Sequence, residues 1–150
     1  MADQTDVREC PIARTLQIVG EKWSLLAIRE IMLGNRRFEE IRRFTGAPRD
    51  ILTARLRKLE ADGLVTRSEY QQRPSRFEYR LTDLGWSLAP VLTVIRSWGD
   101  THLPVPGGPS LVFEHECGAE LTPEVVCAAC GEPVRPESTR PRTAAAPLAG

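Results

Sequence analysis

His115, Cys117, Cys127 and Cys130 place four nitrogen and sulfur side chains within sixteen positions. Imidazole and thiolate are the ligands a tetrahedral zinc ion takes, and four of them close its coordination sphere. His115 and Cys117 stand two apart, so on a strand they point to the same side. Cys127-Ala128-Ala129-Cys130-Gly131 is a turn that presents two thiolates to one ion. Nine residues separate the two pairs, enough for a small hairpin through Thr122-Pro123. The expected cofactor is a structural zinc, with no open position for catalysis. A segment this short cannot bury a core, so metal is expected to hold it folded. The alternatives are a Cys127–Cys130 redox pair or a degenerate site that holds no metal. Acidic flanks (Glu114, Glu116, Glu120 and Glu124) argue against direct DNA contact by this segment.

Cys10 stands immediately before Pro11, at the cap of an expected first helix. A helix N-terminus favours a thiolate, and Arg8 and Arg14 add positive charge nearby. A depressed thiol pKa is the reactive reading; a small packing residue is the plain one.

The third set is basic. Residues 36–80 carry twelve Arg and Lys side chains against seven acids, a local charge of +5. From 81 to 134 only Arg96 opposes seven acids. A polarised chain of this kind points to an anionic partner for its middle. Within the middle, a helix opened by Pro48 has Leu52, Leu56 and Leu59 on one face at 100° per residue. Asp50, Thr53, Ala54 and Arg57 then share the opposite face, with Arg49 at its edge. Such a face suits a DNA major groove: Arg reads guanine or phosphate, Thr reaches either, and Asp50 orients an arginine or accepts from cytosine. An ordinary amphipathic helix with a wet face is the competing reading.

The elements that must position these groups follow from periodicity and breakers. Pro11 opens a helix ending at Gly20. Residues 22–33 are apolar nearly all round, so that helix is buried, and Gly34-Asn35 stops it. Phe38, Ile41 and Phe44 make a short third helix closed by Gly46. The Pro48 helix runs to Asp62-Gly63. Leu64, Val65, Ser68 and Tyr70, then Phe77, Tyr79 and Leu81, fit two strands around the polar loop QQRPS. Arg73, Ser75 and Arg76 sit at that tip, where they can lie along phosphates. Thr82 or Asp83 caps a last helix carrying Leu84, Leu88, Val91, Leu92, Ile95 and Trp98, either kinked by Pro90 or split in two. The fold class is mainly α with a small hairpin: a helix-turn-helix followed by a basic wing, which is a winged helix. Arg36 and Arg37, near the N-terminus of the third helix, are expected phosphate contacts.

The domain boundaries expected are a tail at 1–9, a winged-helix DNA-binding domain at 10–103, a linker at 104–109, a zinc-ribbon-like segment at 110–137 and a disordered tail at 138–150. The chain has 150 residues, 41% apolar and 27% charged, which suits one ordinary domain with an appendage. No run approaches the roughly 18 apolar residues of a membrane span. The polar start MADQTDVREC is not read as a secretory leader, and the cysteines suggest a reducing, cytoplasmic setting.

CPIARTLQIVGEKWSLLAIREIMLG, RRFEEI, ILTARLRKLEADGLVTR and YRLTDLGWSLAPVL, in that order, resemble the HxlR family of bacterial winged-helix transcription regulators. The resemblance covers residues 10–103. It implies a homodimer on a pseudo-palindromic operator, with dimer contacts from the first and last helices and recognition helices about one DNA turn apart. It also implies that the cysteine at position 10 senses oxidants or electrophiles, so an oxidant or small-molecule effector is a further expected partner. The tail is similar to a zinc ribbon, although its first half is His-x-Cys where Cys-x-x-Cys is commoner. A protein-interaction adaptor that works through the tail, binding DNA only non-specifically, is the alternative. An enzyme is not expected: there is no Gly-rich phosphate loop or nucleophile elbow, and His102 and His115 have no evident triad partners.

Overall fold

A computed structural model describes residues 10–142 of the chain. The expected tail at 1–9, and residues 143–150 of the expected disordered tail, lie outside the described residues. One compact unit ends at Leu92 and a second begins at Thr93.

The first unit is built around two helices of opposite character. The helix α1 (Pro11–Val19) leads into α2 (Lys22–Met32), which buries Ala27, Ile28 and Ile31. Its buried face also includes Ser24 and Glu30, two polar residues at 1% and 3% exposure, while Leu25 is only half-buried. The apolar-all-round expectation is corrected here: α2 hides a carboxylate and leaves Leu33, its C-cap, exposed. Glu30 is fully partnered. Arg29 donates to its Oε1 from Nε and Nη2 at 2.8 and 2.6 Å, and Asn35 Nδ2 donates to Oε2 at 2.7 Å. A buried charge survives folding only when it is paired in this way. The pairing ties the end of α2 to the turn that leads into α3.

The short helix α3 (Phe38–Thr45) starts with Glu40 accepting the Arg37 N–H and ends at Gly46. It buries Ile41, while Phe44 is 53% exposed and is not part of the core as the periodicity suggested. The helix α4 (Arg49–Ala61) meets the expected pattern: Leu52, Leu56 and Leu59 are at most 1% exposed. Fully burying a leucine contributes about 1.5–3 kcal/mol, so these three seat α4 against the rest of the unit.

The chain then forms an antiparallel hairpin of β1 (Val65–Gln72) and β2 (Ser75–Leu81), with a register shift between Glu69 and Gln71. Gln71, Gln72 and Ser75 are strand residues, so the tip is Arg73-Pro74 and shorter than the QQRPS loop expected. The base of the hairpin is stitched to the helices. Tyr79 N donates to Arg36 O at 2.8 Å, and Arg37 bridges to Glu78. Thr82 caps α5 (Asp83–Trp86) by accepting the Gly85 N–H at 3.1 Å. A Cβ at Gly85 would sit 2.2 Å from Leu64 O, so this position excludes a side chain. The last helix is split, as one of the two expectations had it. A break at Ser87-Leu88 precedes α6 (Ala89–His102), where Pro90 falls in the first turn and removes no helical bond. Leu88 and Leu92 pack on the core of the first unit.

In the second unit, Arg96 stacks over the Phe113 ring at 4.4 Å and its Nη2 reaches Leu121 O at 3.4 Å. Two tight turns follow. In one, His115 N donates to Ala119 O; in the other, Cys127 N donates to Glu132 O. A 3-10 turn spans Pro136–Ser138. No helix among the described residues is long and apolar enough to cross a membrane.

Candidate nucleic-acid interface

The wet face of α4 carries Arg49, Asp50, Ala54 and Arg57 exposed, with Thr53 half-buried beside them. Thr53 donates its hydroxyl proton to Arg49 O at 2.8 Å, so toward a ligand it can only accept. The Arg57 side chain makes no hydrogen bond or ion pair among the described residues. Its guanidinium is the unsatisfied donor of this face. Asp50 pairs with neither arginine, contrary to one of the roles expected for it. Arg49 is held instead by Glu39 of α3, which accepts from Arg49 Nη2 and, at 3.0 Å, from Arg42 Nε. The hydrogen bonds from Arg42 and then Arg49 hold the Glu39 carboxyl below the usual carboxylate range. Arg49 also lies over the Phe38 ring at 5.3 Å. Glu39 is the partner of this face that sequence reasoning missed. Only its three-residue spacing to Arg42 was visible along the chain.

The wing divides in the same way. Arg73 in the tip and Arg76 just beyond it are both exposed and without ion pairs among the described residues. Ser75 donates its hydroxyl to Glu69 Oε1 across the strands and is engaged in holding the tip. Ahead of α3, Arg36 is exposed without an ion pair, whereas Arg37 is pinned: its guanidinium lies over the Tyr70 ring at 4.8 Å and 4.0 Å from Glu78. Of the nine residues expected to meet DNA, Arg36, Arg57, Arg73 and Arg76 therefore present unpaired guanidiniums. Unpaired arginine in water is the group that exchanges counterions for phosphate or pairs bidentately with guanine.

Cys10 is the N-cap of α1 and half-buried, and its sulfur makes no capping bond to the helix amides. In the second unit, His115 and Cys117 do not lie on a strand. They share a turn in which Cys117 N approaches His115 Nδ1 at 3.4 Å. The expected hairpin through Thr122-Pro123 is absent among the described residues, because each pair closes its own turn. The Cys127 thiol is held below its usual pKa by the Ala129 N–H, then by the Cys130 N–H and thiol. Among the described residues no three His, Cys, Asp or Glu side chains gather as a metal-holding group. As placed, His115, Cys117, Cys127 and Cys130 do not fit the closed four-ligand zinc site expected of them. Among the described residues, the backbone bonds that shape each turn stay inside that turn.

A helix-turn-helix whose second helix is exposed and arginine-bearing, stitched to a basic two-stranded wing, defines the winged helix-turn-helix class. The chain belongs to the HxlR-like helix-turn-helix family, whose profile matches residues 18–106. Over 131 residues it is 41% identical to an HTH-type transcriptional regulator of Mycobacterium tuberculosis (strain ATCC 25618 / H37Rv), covering 87% of this chain and 83% of that one. The HTH-type transcriptional regulator YybR of Bacillus subtilis (strain 168) is 38% identical, over 64% of this chain and 78% of its own. Among solved structures, PA1607, a candidate transcription factor, superposes with TM-score 0.77 at 32% identity, covering 93% of this chain and 99% of that one. The redox regulator HypR in its reduced form gives TM-score 0.57 at 38% identity, over 61% of this chain and 92% of its own. The family is one of transcriptional regulators, not of enzymes.

Proposed function

We propose that this regulator recognises a specific DNA sequence as a homodimer on a pseudo-palindromic operator, through residues 10–103. The observation that carries this reading is the set of unpaired guanidiniums on α4 and the wing. Arg57 reads a base edge, with Thr53 as an acceptor and Asp50 near it on the same face. Arg36, Arg73 and Arg76 neutralise phosphates, and Arg49 joins them on leaving Glu39. Arg37 and Ser75 hold the wing. The dimer reading is supported by large apolar side chains left exposed on α1 (Ile12 and Leu16) and on α6 (Val91, Ile95 and Trp98). On each helix such side chains are surface that a partner could cover.

The test is selection of genomic fragments by the purified protein at physiological salt, read by sequencing. A discrete site with two related half-sites is expected. Recovery without a motif would overturn the reading in favour of the adaptor alternative.

Zinc is a second reading, favoured by one observation. Both turns put a glycine at positive φ directly after the second candidate ligand, Gly118 after Cys117 and Gly131 after Cys130. Zinc counted by mass spectrometry on protein purified without chelator decides it. One ion per chain supports a site completed when the turns approach; none overturns it. Sensing by Cys10 is supported by the similarity to a protein named a redox regulator. Replacing Cys10 with Ser is expected to abolish any oxidant-dependent change in DNA binding.

A further inference from the structure

Beside the wing lies a cleft of about 140 Å³ lined by Ile31, Arg36, Arg80, Leu81 and Trp86. Its composition is mixed in a particular way. Ile31 is 4% exposed and Leu81 half-buried, giving an apolar floor, and Trp86 is half exposed at the rim. Arg36 and Arg80 add two guanidiniums. Arg80 shares Glu78 with Arg37: one carboxylate oxygen is 3.4 Å from Arg80 Nη2 and the other 4.0 Å from Arg37 Nε. Arg36 has no ion pair among the described residues. Arg37 and Arg80 thus share one carboxylate, and no acidic residue lines the cleft beside Arg36 and Arg80.

We infer that this cleft binds a small organic carboxylate with a single ring, the carboxylate between Arg36 and Arg80 and the ring on Ile31, Leu81 and Trp86. Guanidinium pairs best with a planar carboxylate, and an indole face takes a ring at low cost in conformational freedom. Drug-sized ligands occupy about 300–1,000 Å³, so the occupant here is smaller. A backbone phosphate would satisfy the guanidiniums, but it would make no use of the apolar floor or of Trp86.

Occupation has a consequence for regulation. The Arg36 carbonyl already receives the Tyr79 N–H, so a ligand spanning Arg36 and Arg80 joins the start of α3 to β2 a second time. It also takes the Arg36 side chain from DNA. This regulatory half rests on the DNA-binding reading; the binding half does not.

The experiment titrates ¹⁵N-labelled full-length protein with sodium benzoate at constant ionic strength, following the Trp86 indole and Leu81 amide signals. Saturable shifts are expected. Neutral benzamide and inorganic phosphate are expected to bind about tenfold more weakly or less, the loss of one charge-assisted hydrogen bond or of the apolar contact. Arg80→Gln and Trp86→Ala, both at exposed side chains, are expected to weaken benzoate by a similar factor with unchanged circular dichroism. No saturable shift, phosphate or benzamide binding as tightly as benzoate, or wild-type affinity in both variants would each overturn the site. Benzoate is further expected to weaken operator binding. Benzoate that binds without weakening it would overturn the regulatory half and leave the site standing. Failure of benzoate beside intact operator recognition would remove the site and leave the DNA-binding function untouched.

Discussion

Glu39 offers the sharpest perturbation of the interface. Its carboxylate is exposed, as are the Arg42 and Arg49 side chains it holds. Exposed ion pairs contribute about 0–1 kcal/mol to folding, so Glu39→Gln should leave urea unfolding within about 1 kcal/mol of wild type. The effect on DNA should be much larger. Losing the carboxylate frees Arg49, and with it Arg42, beside the face proposed to meet phosphate. Each additional phosphate neutralised steepens the fall of log affinity against log salt by about 0.9. One arginine newly on phosphate therefore adds about 0.9 to the slope, and two add about 1.8. That increase is sequence-independent, so binding to a scrambled duplex should rise more than binding to the operator. Fluorescence anisotropy on both duplexes over a salt series measures slope and ratio together. An unchanged slope with weaker operator binding would refute the reasoning, because Glu39 would then aim Arg49 rather than withhold it. Wild type should approach the variant only in acid. The depressed Glu39 carboxyl keeps its ion pairs above the ordinary carboxylate range and loses them as pH falls through its own lowered value.

Further expectations are direct. Arg57→Ala should cost about 1–3 kcal/mol at the operator and relax preference at one base pair, whereas Arg73→Ala should weaken all sequences evenly; equal loss from both with an unchanged preferred site would sink the base-reading role. Glu30→Ala should destabilise the fold by about 2–3 kcal/mol in urea, less than a fully buried pair because Arg29 can turn to water; a loss under about 1 kcal/mol would show that the buried carboxylate does not hold the α2–α3 turn. Burial raises the Tyr79 phenol pKa, so the folded state keeps that proton longer than the unfolded chain does. Stability should therefore decline as pH rises past about 10, and Tyr79→Phe should flatten that decline in thermal melts.

The residues that were legible in sequence are those whose partners lie within one element. Leu52, Leu56 and Leu59 announce the seat of α4 because helical spacing alone aligns them. The cap is narrowed to Thr82 or Asp83 because the group it satisfies lies three residues away, and the structure gives it to Thr82. What escaped depends on which side of a helix another helix covers. Phe44 belongs to the same apolar set as Phe38 and Ile41, yet it stays out of the core, with the Arg43 guanidinium over its ring. Ser24 and Glu30 look like surface residues until α2 is surrounded. Glu39 and Arg49 meet across a helix-turn-helix corner, a juxtaposition that neither helix alone implies. In the tail, ligand spacing is plain within each turn, but spacing along the chain does not say how near the two turns lie to each other.

The two-residue tip of the hairpin makes the wing a ruler. The base is fixed by Tyr79, Arg37 and the Thr82 cap, while Arg73-Pro74 is exposed and touches none of the core. Two residues added to each strand would advance the tip by about 6.8 Å and return every side chain to its own face. That length is two base-pair steps along a duplex, at about 3.4 Å each. Under the proposed DNA-binding function, a wing lengthened in this way should span more of the duplex without altering a single packed residue, and a shortened or lengthened wing should be read out as a changed footprint at constant stability.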